Sequence, residues 1–170
     1  QDAEEAWAAL KQPGTVAIMR HALAPGGGDP ANFALGDCST QRNLNDAGRE
    51  QARRIGRAFR DQGIQVDRVL TSQWCRCRDT AELLDLAPVE DFPALNSFFQ
   101  DRSTRDQQTA AVRDFLSQAP DGEQLVLVTH QVNITALTDV FPSSGEVIVI
   151  EVGADGSVDV RGSFLIRAPR

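Results

Sequence analysis

The chain has 170 residues, 41% of them hydrophobic, and a formal net charge of -7. That length and composition suit one soluble domain with a proper core and exclude a disordered chain. The acidic balance speaks against a general nucleic-acid surface, and no stretch approaches the roughly 20 apolar residues of a membrane-spanning helix.

The positive charge is unusual in kind. Of 17 basic residues only Lys11 is a lysine. Arginine favours bidentate recognition of phosphate or carboxylate, although a compositional bias of the source genome explains the excess equally well. Three cysteines, Cys38, Cys75 and Cys77, leave an odd count. One disulfide with a free buried thiol fits an oxidising compartment, and three thiols fit a reducing one. The chain opens on Gln1 rather than methionine. A removed export signal and a trimmed boundary both fit that start, and the signal peptide agrees better with a disulfide.

In chain order, Asp2 to Leu10 reads as a short amphipathic helix. Asp2, Glu4 and Glu5 load its first turn, and Ala3, Ala6, Trp7 and Leu10 make its apolar stripe. Pro13-Gly14 stops it, so residues 1–14 form an N-terminal helical segment. A first strand from about Thr15 to Met19 runs straight into Arg20-His21. Residues 23–43 then form a long irregular stretch with three consecutive glycines, Pro25 and Pro30. A loop of about twenty residues inside a compact domain is uncommon and usually functional or disordered. Its place after Arg20-His21 marks it as a substrate-covering loop.

Asn45 is an N-cap for a helix to about Asp61, with Gly48, Ala52, Ile55 and Phe59 inward and its arginines on a solvated face. Val66 to Leu70 is the second strand. Thr71-Ser72 reads as the N-cap pair of a helix carrying Trp74, Cys77, Ala81 and Leu84 inward. Arg76 falls in its first turn. Residues 87–103 look irregular. Ser103 to Asp106 has capping-box spacing before a helix burying Ala111, Val112, Phe115, Leu116 and Ala119, which ends at Pro120-Asp121-Gly122. Leu125 to Thr129 is the third strand, leading to His130 and a further helix. The segments 146–152 and 157–162, joined through Asp155-Gly156, form a hairpin. Helices interleaved with strands predict an α/β three-layer sandwich, its central sheet mostly parallel with an antiparallel C-terminal edge.

The chain has two histidines, and each directly follows an apolar strand. Parallel strands place their carboxyl ends at one edge of a sheet, where ligands bind in open α/β folds. His21, Arg20, Arg76 and His130 can therefore converge there, with no carboxylate beside them. Histidine can serve as a covalent nucleophile, and arginine forks neutralise a phosphoryl group in transit. The N-terminus of the helix bearing Arg76 adds backbone donors. Crowded arginines repel a cation, so no metal and no cofactor is expected. Cys75-x-Cys77 has no second pair to complete a zinc site; packing or a disulfide to Cys38 is the better reading. Asn133-Ile134-Thr135 has the pattern of a glycan acceptor but lies in the helix behind His130.

Four motifs resemble the histidine phosphatases, the phosphoglycerate mutase-like superfamily. Met19-Arg20-His21-Ala22 resembles the family's Arg-His-Gly signature. Leu44-Asn45-Asp46-Ala47-Gly48 with Gln51-Ala52 is similar to its Leu-Thr-x-x-Gly-x-x-Gln-Ala segment. Thr71 to Ala81 is similar to its Ser-Ser-x-x-x-Arg-Ala-x-x-Thr-Ala segment, and Val128-Thr129-His130 to its second histidine motif. Together they span residues 16 to about 138 in the family's order. The resemblance implies a single histidine phosphatase domain over residues 1–170, with His21 as the residue that becomes phosphohistidine. Arg20, Arg76 and His130 would complete the phosphate pocket. With the cysteines and the start, the pattern resembles the small exported bacterial branch that includes lipopolysaccharide-core heptose phosphatases. A periplasmic or secreted location follows from that likeness, with the cytoplasm as the alternative.

The sequence departs from the family pattern in two places. Ala22 stands where the signature has glycine. Ser97 stands where many members carry the glutamate that protonates the leaving group. Either Asp101 substitutes for that acid, or the leaving group needs little protonation, as in phosphohistidine or an anhydride. Arg42, in the covering loop, is a further candidate for substrate contact. The expected activity is phosphomonoester hydrolysis on a small substrate such as a sugar phosphate, by a monomer or weak dimer. A phospholigand-binding pseudo-enzyme is the rival reading.

Overall fold

The computed structural model describes residues 2–120 and 122–170; Gln1, the side chain of Asp2 and Asp121 in the expected turn lie outside that description. The apolar runs pair into one six-stranded sheet. Its strands are β1 (Thr15–Arg20), β2 (Arg68–Thr71), β3 (Val89–Asp91), β4 (Leu125–Thr129), β5 (Val147–Val152) and β6 (Val158–Phe164), in the order β3-β2-β4-β1-β5-β6. From β3 to β1 the pairing is parallel, while β5 runs antiparallel to β1 and β6 antiparallel to β5. All five residues of β4 are buried, because both of its faces are covered. A strand so placed reads as a continuous apolar run rather than an alternation.

Five α-helices cover the sheet: α1 (Asp2–Leu10), α2 (Asp46–Asp61), α3 (Cys75–Leu84), α4 (Arg105–Ser117) and α5 (Gln131–Thr138). The strand side chains alternate between the two helical layers, as a period of two requires. Ala17, Met19, Val126 and Val128 pack with Leu10, Ile55, Phe59 and Ala81, so α1, α2 and α3 share one face. Val16, Ile18, Leu125 and Leu127 pack with Val112, Leu116, Ile134 and Leu137, which puts α4 and α5 on the other. The result is the three-layer sandwich expected from the pattern.

α2 begins as predicted: the side chain of Asn45 accepts the Gly48 N–H at 2.8 Å. Its buried face carries Gly48, Ala52, Ile55 and Phe59, and Arg53, Arg54 and Arg57 gather around Glu50 on the solvated face. Gly48 is required sterically. A Cβ there would lie 2.0 Å from the Leu23 carbonyl oxygen, so the helix can press against the chain leaving β1 only without a side chain.

Several local expectations are corrected. β3 lies inside the stretch read as irregular; three residues on a sheet edge, none of them buried, leave no periodic signal. Thr71 and Ser72 do not cap α3. Thr71 ends β2, and the residue preceding the helix is Trp74, without a side-chain cap. The Ser103 capping box does not form either. A short 3₁₀ turn, Arg102–Thr104, takes its cap from Asp101, and α4 starts at Arg105 without one. Ala3 and Ala111 are exposed rather than inward.

Candidate active site

Three parallel strand ends build the site. Arg20 pairs in register with Thr129, so His21 and His130 leave the sheet side by side, with ring centroids 5.7 Å apart. β2 ends beside them at Thr71, paired with Val128. Arg76 enters as the second residue of α3. Arg20, His21, Arg42, Arg76, His130 and Asp101 all line one cavity of about 680 Å³. The structure thus brings every sequence-predicted site residue to the same opening, although not in equivalent roles.

His21 is buried, and its Nδ1 lies 2.8 Å from the Ala22 carbonyl oxygen. A carbonyl only accepts, so the proton is assigned to Nδ1 and the lone pair to Nε2. Arg76 Nε donates toward that Nε2 at 3.3 Å. Burial, with Arg76, Arg20 and Arg42 adding to it, lowers the His21 pKa to about 3 against the opposing pull of the Ala22 carbonyl. The imidazole is therefore neutral at physiological pH. The following backbone is fixed: Ala22 N–H donates to Thr80 Oγ1 at 3.0 Å and Leu23 N–H to Gln51 Oε1 at 2.9 Å. These bonds give a physical purpose to Gln51 and Thr80. The methyl group of Ala22 is accommodated among Ala24, Leu44 and Ala52.

His130 is held from behind. Its Nε2 lies 2.8 Å from Ser72 Oγ and 3.5 Å from Cys77 Sγ. Trp74 packs against the ring edge-to-face at 5.2 Å. Burial, then the neighbouring His21 and Arg76, keeps its pKa well below the usual histidine value. Cys77 is a buried free thiol whose pKa burial pushes up to about 12, so it does not form a reactive thiolate. Ser72 was missed because its polar side chain next to a helix start is the ordinary sign of a cap.

The cations are three. Arg20 donates through Nη1 to the Pro142 carbonyl at 3.1 Å, while its buried Nε has no protein partner among the described residues. Arg42 reaches the cavity with Nε on the Gly28 carbonyl and Nη1 on the Ala24 carbonyl. Arg76 is paired with a carboxylate that sequence reasoning left out: Asp29 Oδ1 accepts from Arg76 Nη1 at 2.8 Å. The expectation of arginines and histidines with no carboxylate beside them is thus corrected. The covering loop folds back over 47 residues of sequence separation to deliver Asp29. The same carboxylate accepts from Arg42 N–H at 3.0 Å and Trp74 Nε1 at 3.1 Å. Burial raises its pKa, but the donors Arg76, Arg42 and Trp74 outweigh that and hold it below the usual carboxylate range.

Asp101 sits on the cavity wall, exposed, its carboxylate accepting the Ser103 N–H at 3.0 Å. That contact holds its pKa below the ordinary value, the wrong direction for a proton donor. Ser97 also lines the cavity and accepts the Phe99 N–H. Cys38 and Cys75 form the disulfide, a pairing the spacing left open, and it ties the covering loop to the residue before Arg76. Asn133 of the glycan-acceptor pattern is buried with its Nδ2 donating to the Asn96 carbonyl. Three arginines around two neutral imidazoles suit an anion with several oxygens and disfavour a divalent cation.

The family model described as histidine phosphatase superfamily (branch 1) matches residues 16–101, half of the chain. No curated protein sequence matches it. Among solved structures, the protein histidine phosphatase SixA in complex with tungstate superposes with a TM-score of 0.62 at 17% identity, covering 88% of this chain and 96% of that one. A phosphoserine phosphatase from Entamoeba histolytica in complex with 3-phosphoglyceric acid gives 0.63 at 11% identity, over 89% and 97%. Phosphoglycerate mutase from Plasmodium falciparum gives 0.56 at 14% identity, over 94% and 98%. At these identities the likeness is one of fold.

Proposed function

We propose that this chain, which belongs to the histidine phosphatase superfamily, is a phosphatase that works through a phosphohistidine on Nε2 of His21 and requires no metal. One observation carries the reading. The Nδ1 of His21 is tied to the Ala22 carbonyl, which turns the Nε2 lone pair toward Arg76 in a cavity lined by three arginines. In the first step Nε2 attacks phosphorus; the N–P bond forms, the bond from phosphorus to the leaving group breaks, and the leaving atom keeps the electron pair and takes up a proton from solvent or from a protonated Asp101. In the second, water attacks phosphorus, the N–P bond breaks, and inorganic phosphate departs. Neutral His130, which lines the same cavity, accepts the proton lost by that water. Arg20, Arg42 and Arg76 stabilise the equatorial oxygens, where most of the acceleration of phosphoryl transfer arises.

The leaving group is the point on which substrate classes divide. Asp29 and Asp101 are the carboxylates lining the cavity among the described residues, and the contacts of each favour the ionised form. That favours, as a second reading, a leaving group of low basicity: phosphohistidine or another phosphoramidate, or an anhydride. A sugar phosphate, as in the heptose phosphatase branch, requires Asp101 to be protonated during turnover. The pseudo-enzyme reading keeps the pocket and denies the chemistry. The Cys38–Cys75 disulfide supports an oxidising, extracytoplasmic setting, and no helix among the described residues is long and apolar enough to cross a membrane. The test is hydrolysis across a panel of sugar phosphates, aryl phosphates and phosphohistidine peptides with EDTA present. Metal-independent turnover of any member supports the proposal, and silence across the panel overturns it.

A further inference from the structure

We infer that Asp29 is a positioning residue that sets which edge of Arg76 receives the substrate phosphate. The inference rests on the phosphate-binding reading of the pocket given above. Arg76 has two forks to offer an oxyanion: the end-on pair Nη1 and Nη2, and the side-on pair Nε and Nη2. Asp29 takes the end, with Oδ1 2.8 Å from Nη1 and Oδ2 3.4 Å from Nη2. The Arg42 carbonyl accepts from Nη1 as well, at 3.2 Å. The side edge is left to the pocket, where its Nε–H meets Nε2 of His21. A phosphate oxygen that takes over that Nε–H is held beside the imidazole and frees its lone pair to face phosphorus.

The carboxylate is itself well anchored, so it can impose this orientation. The side chain of Asp29 is 11% exposed and that of Arg76 5%. Backbone and indole donors from Arg42 and Trp74 complete the shell around Asp29. Trp74 lies against His130 and stacks on Phe33, with centroids 5.0 Å apart. Gly26 and Gly28 have φ of 93° and 63°, a backbone that L side chains rarely adopt, and this turn brings the loop back over α3. The Cys38–Cys75 disulfide and the Gln41 side chain, which accepts the Cys75 N–H at 2.9 Å, pin the far end of the loop. Without Asp29, Arg76 would keep its charge but lose the constraint on its fork.

A double-mutant cycle separates this role from its rivals. The probe is inorganic phosphate, titrated calorimetrically into wild type, Asp29→Ala, Arg76→Ala and the double variant, with melting temperatures recorded for all. Kinetics on p-nitrophenyl phosphate accompany the single variant. Asp29→Ala is expected to weaken phosphate binding at least tenfold and to lower kcat at least as much as it raises KM, because phosphorus is no longer held in line with Nε2 of His21. In the Arg76→Ala background the same change should cost less than threefold, because Asp29 acts through Arg76. Tighter phosphate binding in Asp29→Ala would overturn the inference, since Asp29 would then be a competing internal anion. Equal losses in both backgrounds would overturn it too. Should Asp29→Ala fail to fold, Asp29→Asn enters the same cycle with the same two criteria. Arg76-dependent phosphate binding without phosphohistidine formation would refute the enzymatic proposal and leave this inference standing.

Discussion

Arg76 directs its Nε–H at Nε2 of His21 across 3.3 Å, so the guanidinium meets the imidazole at its lone pair. The contact needs a neutral ring, and burial supplies it. His21 should remain neutral far below the usual histidine midpoint of about 6.5. In an NMR pH titration, its ring resonances should show no titration between pH 8 and 5. A midpoint near 6.5 would contradict the buried, neutral imidazole.

The same burial gives stability a definite sign with pH. Both histidines have folded-state pKa values below the unfolded one, with His21 at about 3. As pH falls through about 6.5, the unfolded chain takes up protons that the native state refuses. The stability present in full above that pH is therefore lost on acidification, by up to about 1.4 kcal/mol per pH unit for each histidine. The melting temperature should drop between pH 7 and 4.5, and the drop should shrink in His130→Asn. An equal drop in that variant would rule the linkage out.

Arg76 is expected to resist even conservative exchange. Lysine is a point charge without a fork, and it would leave Asp29 and the phosphate competing for one ammonium. Arg76→Lys should reduce kcat/KM by about 10²–10³, the range of a lost preorganised oxyanion donor. Circular dichroism should show the fold retained. A loss under fivefold would mean that charge alone suffices.

Asp101 divides the two substrate readings. Asp101→Asn should change kcat/KM less than threefold on a phosphohistidine peptide, because the leaving imidazole needs little help. On a sugar phosphate a general acid is worth about 10²–10⁴. A loss of that size with the phosphohistidine peptide would establish Asp101 as the acid and remove the argument for a low-basicity leaving group.

The disulfide should matter to binding as well as stability. Cys38 and Cys75 are 37 residues apart in sequence, and opening a loop of that size typically costs about 2–4 kcal/mol. Since the bond holds the covering loop against α3, reduction should lower the melting temperature and raise KM more than it lowers kcat. An unchanged KM after verified reduction would show that Gln41 and Asp29 hold the loop unaided.

The legible residues were those for which chain order and space coincide. His21, His130 and Arg76 each follow a buried strand by a few residues, and parallel strands end at one edge, so their convergence follows from pattern alone. Asp29 lies in a loop without periodicity, and its partner Arg76 is 47 residues away; no spacing rule connects them. Ser72 was visible but misassigned, because a serine beside a helix start has one common use and here serves His130 instead. β3 escaped for lack of length, being three edge residues that bury nothing fully. Asp101 was read as a substitute acid from its place in the sequence; it lines the cavity, and only its contact with Ser103 shows that the local structure favours its ionised form.

The central claim is that Nε2 of His21 carries the phosphoryl group. Mixing enzyme with an aryl phosphate, quenching in base and mapping the protein by mass spectrometry tests it most directly. The account predicts acid-labile, base-stable phosphate on the peptide containing His21, absent in His21→Ala and formed without metal. Turnover with no such adduct, or an undiminished adduct in His21→Ala, would contradict it.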